Sequence, residues 1–343
     1  MKKLLNTLYV STPGAYICHE GESVLVRVEH ETRLRVPIHM LAGIVCFGQV
    51  SCSQPLMGLC GERDVRISFL NEHGRFLARV HGPISGNVVL RRRQYRASDD
   101  TATSLRIAQG FVVGKIANSR AVLQRALRDH ACEAGRPELE AVVARLGGQL
   151  REVMQAKEIN VLCGMEGEAA NRYFGVFDHL VTTQKDAFKF ERRNRRPPTD
   201  RINAILSFVY TLLAHDAASA LESVGLDPQV GFLHAERPGR PSLALDLIEE
   251  FRAFMGDRLA LSLINLRQLQ ANDFKATESG AVTMSDDARK TLLAAYQKRK
   301  QEEIMHPFLE EKVSIGLLMH VQALLLARHL RGDLDAYPPF VVK

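Results

Sequence analysis

The 343-residue chain reads as an α+β protein with segregated elements: an antiparallel β domain over residues 1–97, then a mostly helical domain over residues 98–343. Two observations predict this. Over roughly the first hundred residues, short runs rich in Val, Ile, Leu and Phe alternate with turn signals such as Pro13-Gly14, Glu20-Gly21 and His73-Gly74. From Ser98 onward the apolar residues recur at helical spacing instead. A hydrophobic content of 46% over this length is enough for two domains with a sizeable core.

In chain order, LLNTLYV, AYICHE, SVLVRVEH, TRLRVPI, GIVCFG, VRISFLN and FLARVHG are the expected strands. SVLVRVEHETRLRVPI alternates with period two around a polar bend and reads as a hairpin. Leu56 to Arg63 fits a short helix between strands. No acid or histidine cluster in this part is dense enough to form a site. The basic stretch VVLRRRQYRA comes next, with Arg91, Arg92 and Arg93 at its centre. It reads either as a solvated strand end leading into a helix or as a contact for DNA phosphates at the domain junction.

In the helical part, NVLCGMEGEAANRYFGVF (160–177) sets Glu166 between Gly164 and Gly167, which reads as the start of an aromatic-bearing helix where glycine permits close approach. Lys189, Arg192, Arg193, Arg195 and Arg196 then form a basic run ending at Pro197-Pro198. It reads as a solvated loop or as a phosphate-binding segment. Asp200 caps a new helix whose Ile202, Ile205, Leu206, Val209 and Leu213 are spaced for burial. Near the end, residues 315–340 read as a long amphipathic helix stopping at Gly332. His306, His320 and His329 read as packed or surface histidines.

Composition narrows the setting. Lys plus Arg number 45 against 39 acids, a formal charge of +6 that mildly favours a polyanionic partner. Six cysteines (18, 46, 52, 60, 132 and 163) form no CxxC pair and read as reduced thiols of a cytosolic protein. The first residues offer only a broken apolar run, so neither a signal peptide nor a membrane span is expected.

The densest chemistry lies in GFLHAERPGRPSLALDLIEEFR (231–252). His234 ends an apolar step, a Pro/Gly loop comes after it, and Ser242 reads as the N-cap of an acidic helix. Asp246 precedes Glu249 and Glu250 by one turn, which crowds two or three carboxylates on one side. Such crowding calls for a cation, and a divalent metal with oxygen ligands and one imidazole fits these residue types. Glu166 completes the candidate set with His234 and the cluster of Asp246, Glu249 and Glu250.

GMEGEAANRYF, RRNRRPPTDRINAILSFVYTLL, GFLHAERPGRPSLALDLIEEFR and QALLLARHLRGDLDAYPPF resemble successive blocks of the CRISPR-associated adaptation integrase. This is the larger subunit of the universal spacer-acquisition pair, and the resemblance has the flavour of subtype I-C. The strand-rich start resembles that family's N-terminal domain, so the resemblance spans nearly the whole chain.

The resemblance implies a metal-dependent endonuclease and integrase of antiviral defence, acting in the cytoplasm. Mg²⁺ or Mn²⁺ would be held by Glu166, His234 and Glu249, with Asp246 close by and Glu250 ranking behind Glu249. Glutamate stands at 249 where some relatives have aspartate. The reaction would join the 3′-OH ends of short spacer DNA to the repeat of a CRISPR array by transesterification; with water as nucleophile it becomes nicking. The partners implied are double-stranded spacer and repeat DNA, a second copy meeting the first through the β domains, and the small second adaptation protein. Arg91, Arg92, Arg93, Arg192, Arg193, Arg195 and Arg196 would contact DNA backbone. Two other readings stay open: a metal-dependent phosphodiesterase without joining activity, and a non-catalytic DNA-binding scaffold.

Overall fold

The N-terminal strands gather into two four-stranded sheets. In the computed structural model, described over residues 6–71, 76–80, 82, 87–129, 135–194, 197–278 and 280–342, these are β1 (Asn6–Val10), β2 (Tyr16–Glu20), β3 (Ser23–Val28), β4 (Glu31–Pro37), β5 (Leu41–Phe47), β6 (Ser51–Cys52), β7 (Arg66–Leu70) and β8 (Phe76–Val80). The sheet orders are β1-β5-β7-β8 and β4-β3-β2-β6. The expected hairpin is β3–β4, and its two-residue turn takes Glu29 and His30 into left-handed backbone, at φ 51° and 68°. That geometry matches the strand twist.

The domain is not antiparallel throughout, as its sequence suggests. β1–β5, β5–β7 and β2–β6 pair parallel. The reason is a crossover: helix α1 (Gln54–Glu62) lies between β5 and β7 and returns the chain in the same direction. This helix fulfils the expectation for residues 56–63 and is capped by Ser53, whose Oγ accepts from the Leu56 N–H at 3.2 Å. Ile17, Val24, Ile44, Leu56, Cys60 and Ile67 make a core shared by both sheets and α1. Cys18, Cys46, Cys52, Cys60 and Cys163 are free thiols; Cys132 and the His73-Gly74 turn lie outside the described residues.

The mostly helical part starts at Val88, ten residues before the change of apolar period. The basic stretch is helix α2 (Val88–Asp99), not a strand end. Asn87 caps it by accepting from the Leu90 N–H at 3.1 Å, and Leu90 and Gln94, one turn apart, form its buried side. Gln94 donates to the carbonyls of Asp227 and Val230 at 2.7 and 2.8 Å, a tie that no apolar pattern announces.

Next come α3 (Thr101–Asp129), α4 (Arg136–Val153), α5 (Ile159–Gly175), α6 (Arg201–Ser223) and α7 (Ser242–Glu249). A π-helical segment, Arg252–Asp257, leads from α7 into α8 (Arg258–Asn265). The hairpin β9 (Phe274–Ala276)–β10 (Val282–Met284), helix α9 (Asp286–Gln301), the hairpin β11 (Glu303–Met305)–β12 (Lys312–Ser314) and α10 (Leu318–Arg331) complete the order.

Asp200 caps α6 as expected, accepting from the Asn203 N–H at 2.8 Å, and Ile202, Ile205, Leu206, Val209 and Leu213 are fully buried. Among the described helices α6 alone is long and apolar enough to cross a membrane, and 67% of its most apolar window is buried inside the protein. α10 ends at Gly332, whose φ of 84° gives the left-handed cap. His306 is buried with Nε2 3.1 Å from Gln322, His320 pairs with Ser223 at 2.9 Å, and His329 with the Leu334 carbonyl at 3.0 Å.

The two parts are joined by charge and ring contacts. Arg79 of β8 donates to Glu222 of α6 at 2.7 Å, and Arg66 of β7 donates to the Ser219 carbonyl at 2.9 Å. Phe47 of β5 stacks on Phe208 of α6 with centroids 5.7 Å apart.

Candidate functional site

The site is built by three helices that the sequence separates widely. α3 supplies Lys115, α5 supplies Glu166, and the step from residue 231 through α7 supplies His234, Asp246 and Glu249. Glu166 sits mid-helix in α5, not in a first turn as the glycines suggest; its helix starts after Glu158. A Cβ at Gly164 or Gly167 would meet nothing within 4 Å. These glycines therefore leave one side of α5 open beside Glu166 rather than admitting another backbone.

Ser242 is the first residue of α7 rather than its cap. Pro241 holds the cap position, and the Ser242 Oγ donates to the Ala235 carbonyl at 3.2 Å. The cause is the loop, which folds back so that its start lies over the helix N-terminus. There the fully buried Asp246 accepts the main-chain N–H groups of Phe232, Leu233 and His234 at 2.6, 3.0 and 2.9 Å, and the His234 ring at 2.7 Å. A carboxylate can only accept, so Nδ1 of His234 is the donor, and in the neutral ring Nε2 keeps its lone pair. That nitrogen stands 3.9 Å from Glu249 Oε1.

Glu249 is 3% exposed, and three cationic or ionisable groups surround it. Arg252 Nη2 forms an ion pair with Oε1 at 2.9 Å, and Lys115 Nζ lies 2.8 Å from Oε2, an atom that makes no hydrogen bond. Lys115 also pairs with Glu166. Burial opposes ionisation of Glu249, yet Arg252, Lys115 and His234 outweigh it and hold its carboxyl below the usual range. Glu250 faces the other side of α7. It accepts from Tyr337, Gln322 and the Phe340 N–H at 2.7, 2.9 and 2.9 Å, and burial pushes its carboxyl up to about 8.

The π-helical segment matters here because it adds a residue to one turn and re-aims the side chains beyond it. Arg252 returns beside Glu249 and lies over the Tyr210 ring at 4.7 Å, while Asp257 accepts from the Tyr210 hydroxyl. Arg193 lies 5.3 Å from the same ring centroid. Lys115, Ser119, Tyr173, Arg193, Tyr210 and Arg252 line a narrow cleft, part of it open to solvent.

The candidate arginines thus separate. Arg193 belongs to the cleft and is braced by Asn203 and Ser207 at 2.6 and 3.1 Å. Arg192, Arg92 and Arg93 are exposed and Arg91 is partly buried; Arg93 donates to the Arg331 carbonyl at the end of α10. Arg195 and Arg196 lie outside the described residues. Lys115 and Arg252 escaped the sequence reading. The available signal was GFVVGKIANSR, where a lysine falls in the same turn as buried Val112 and Ile116 of an apolar helix.

No three His, Cys, Asp or Glu side chains among the described residues stand close enough to hold an ion as they are. The local reason is that the Lys115 ammonium occupies the position between Glu166 and Glu249. The donor set itself suits a divalent cation: two carboxylates, plus an imidazole whose second nitrogen is fixed by a buried carboxylate.

Fold and site together define an α+β protein, β-sheet at its N-terminal end and mostly helical beyond, with a carboxylate–histidine centre set among cations. Residues 8–298 match the family described as CRISPR associated protein Cas1, and the chain belongs to that family. A relative from Chlorobaculum tepidum, "CRISPR-associated endonuclease Cas1 1", is 57% identical over 341 residues, covering 99% of each chain. Among solved structures, a casposase bound to integration product superposes with a TM-score of 0.85 at 22% identity, covering 99% of this chain and 95% of that one. A chain of a Cas6-RT-Cas1–Cas2 complex gives 0.82 at 22% identity, covering all of this chain and 36% of the larger one. The resemblance seen in the four sequence blocks is borne out at the level of the family.

Proposed function

We propose that this protein is a metal-dependent DNA endonuclease and integrase of CRISPR adaptation, of the subtype I-C kind. It joins 3′-OH ends of short spacer duplexes to the repeat of an array by transesterification. The observation that carries the reading is the convergence of Glu166 and Glu249 on one cation position beside the free Nε2 of His234. The endonuclease name of the C. tepidum relative and the integration product bound to the casposase support it.

Glu166, Glu249 and His234 would hold Mg²⁺ or Mn²⁺, which when bound supplies Lewis acidity toward a phosphodiester oxygen and stabilises the charge that develops there. Asp246 fixes the imidazole in the tautomer that offers Nε2, either as a ligand or to carry a proton to the leaving oxygen. Arg252 and Arg193, braced against Tyr210, present guanidinium groups to phosphate at the cleft. Exposed Arg92, Arg93 and Arg192 would track DNA backbone without reading sequence. A second copy and the small second adaptation protein complete the assembly, a reading supported by the Cas1–Cas2 composition of a structural neighbour. Acting on a chromosomal array, the protein works in the cytoplasm.

The test is strand transfer with a labelled duplex bearing free 3′-hydroxyls and a repeat-bearing plasmid, with and without the small partner protein, in Mn²⁺ or chelator. Joined product that needs metal and is lost in Glu166→Ala supports the reading. Nicked plasmid alone makes the protein a nuclease, and DNA binding without either product makes it a scaffold.

A further inference from the structure

We infer that Lys115 is the resident counter-ion of the Glu166–Glu249 pair, so that its ammonium and a divalent cation compete for one position. This rests on the metal-dependent reading above and goes beyond it by naming what the ion must displace.

Lys115 is 9% exposed, and a buried ammonium persists only with compensating charge. Here the compensation is Glu166, which it contacts directly, and Glu249 Oε2 at 2.8 Å. A hard divalent ion held by the same two carboxylates would need the oxygens that Lys115 Nζ now engages, and two cations cannot share them. Arg252 keeps its own contact to Glu249 Oε1 and can hold that carboxylate while the lysine leaves. Lys115 also borders the partly open cleft lined by Arg193 and Arg252, the side toward which the departing ammonium would move.

The competition acts on both stability and affinity. Without metal the carboxylate pair is neutralised internally, so the site is stable in the free state. The metal affinity is reduced by the fraction of molecules in which the lysine is free of the carboxylates. A lysine docked about nine-tenths of the time lowers the apparent affinity roughly tenfold.

The experiment is calorimetric titration of Mn²⁺ into the full-length wild-type protein, Lys115→Met and Glu249→Gln, in the absence of DNA, together with thermal unfolding of each with and without Mn²⁺. The expected result is that Lys115→Met binds Mn²⁺ about tenfold or more tightly than wild type, melts lower without metal, and gains more from Mn²⁺. Glu249→Gln should lose binding. Should Lys115→Met not fold, Lys115→Gln carries the same comparison. Equal or weaker Mn²⁺ binding in a folded Lys115 variant, with binding intact in wild type, overturns the inference alone. Absence of Mn²⁺ binding in wild type and Lys115 variant alike overturns the metal reading and the inference with it.

Discussion

The ring of His234 and its own main-chain N–H both donate to one oxygen of Asp246, at 2.7 and 2.9 Å. The buried carboxylate thereby fixes the position, tautomer and orientation of the imidazole at once. Asp246 is a positioning residue in this arrangement, with all its acceptor capacity turned inward. Asp246→Ala should orphan three buried N–H groups and cost at least about 3 kcal/mol by chemical denaturation. Asp246→Asn should fold better yet lose activity by about 10–100-fold. An Asp246→Asn variant with wild-type strand transfer would show that the ring needs no such anchor.

Glu166→Ala, His234→Ala and Glu249→Ala should each reduce joining by at least about 100-fold, roughly 2.7 kcal/mol of barrier. Their effects on stability should differ. Glu249→Ala strips the paired counter-charge from both Lys115 and Arg252, whereas Glu166 is 26% exposed and forms its ion pair with Lys115. Thermal unfolding of the three, run beside the strand-transfer assay, should rank Glu249→Ala as the least stable.

Neighbouring arginines should respond differently to charge reversal. Arg192→Glu, at an exposed position, should leave stability within about 0.5 kcal/mol while lowering the slope of log K against log salt by about 1. Arg193→Glu breaks the contacts to Asn203 and Ser207 and the stacking on Tyr210, so it should destabilise the fold by about 2 kcal/mol or more. Fluorescence anisotropy at several salt concentrations separates the two.

Gly231 offers a test of how tightly the histidine loop is folded. A Cβ there would meet Asp246 Oδ2 and the Ser242 carbonyl carbon, both at 2.8 Å. Neither atom can yield, because Asp246 is held by four hydrogen bonds and Ser242 is helical backbone. Gly231→Ala should cost about 1–3 kcal/mol and weaken Mn²⁺ binding. An unchanged melting temperature would mean the loop is looser than it stands here.

Acid should loosen the junction between the two parts through His215. Burial pushes its imidazole down to about 4; Asp216 opposes this and the neighbouring Arg79 adds to it. The unfolded chain therefore binds a proton near pH 6.5 that the folded protein refuses until about pH 4. Stability contributed here is present above pH 6.5 and is lost as pH falls through that window. His215→Gln should flatten the fall in melting temperature between pH 6.5 and 4. An equal fall in wild type and variant would assign the acid sensitivity elsewhere.

The α+β order, the β3–β4 hairpin, the cap of α6 and the buried side of that helix were legible because each arises from local rules: period, turn chemistry and capping. The residue types at the candidate site were legible for the same reason, since acids one turn apart on α7 must crowd. Parallel pairing of β1, β5 and β7 was not, because strand direction depends on where a crossover helix packs. Nor was the start of α2 at Val88, where the buried partner of Gln94 lies far along the chain at Asp227 and Val230.

What the sequence alone determined is the set of elements and the chemistry available to them, through short-range sterics and the spacing of apolar and acidic residues. What only the tertiary structure decided is which charges meet. α3, α5 and α7 bring Lys115, Glu166 and Glu249 together from widely separated parts of the chain. Glu249 and Glu250, adjacent in sequence, are sent to opposite sides, one toward Lys115 and Arg252 and the other toward Tyr337. The physical reason is that Coulomb energies and desolvation depend on distance and burial in three dimensions, quantities that a linear pattern does not contain.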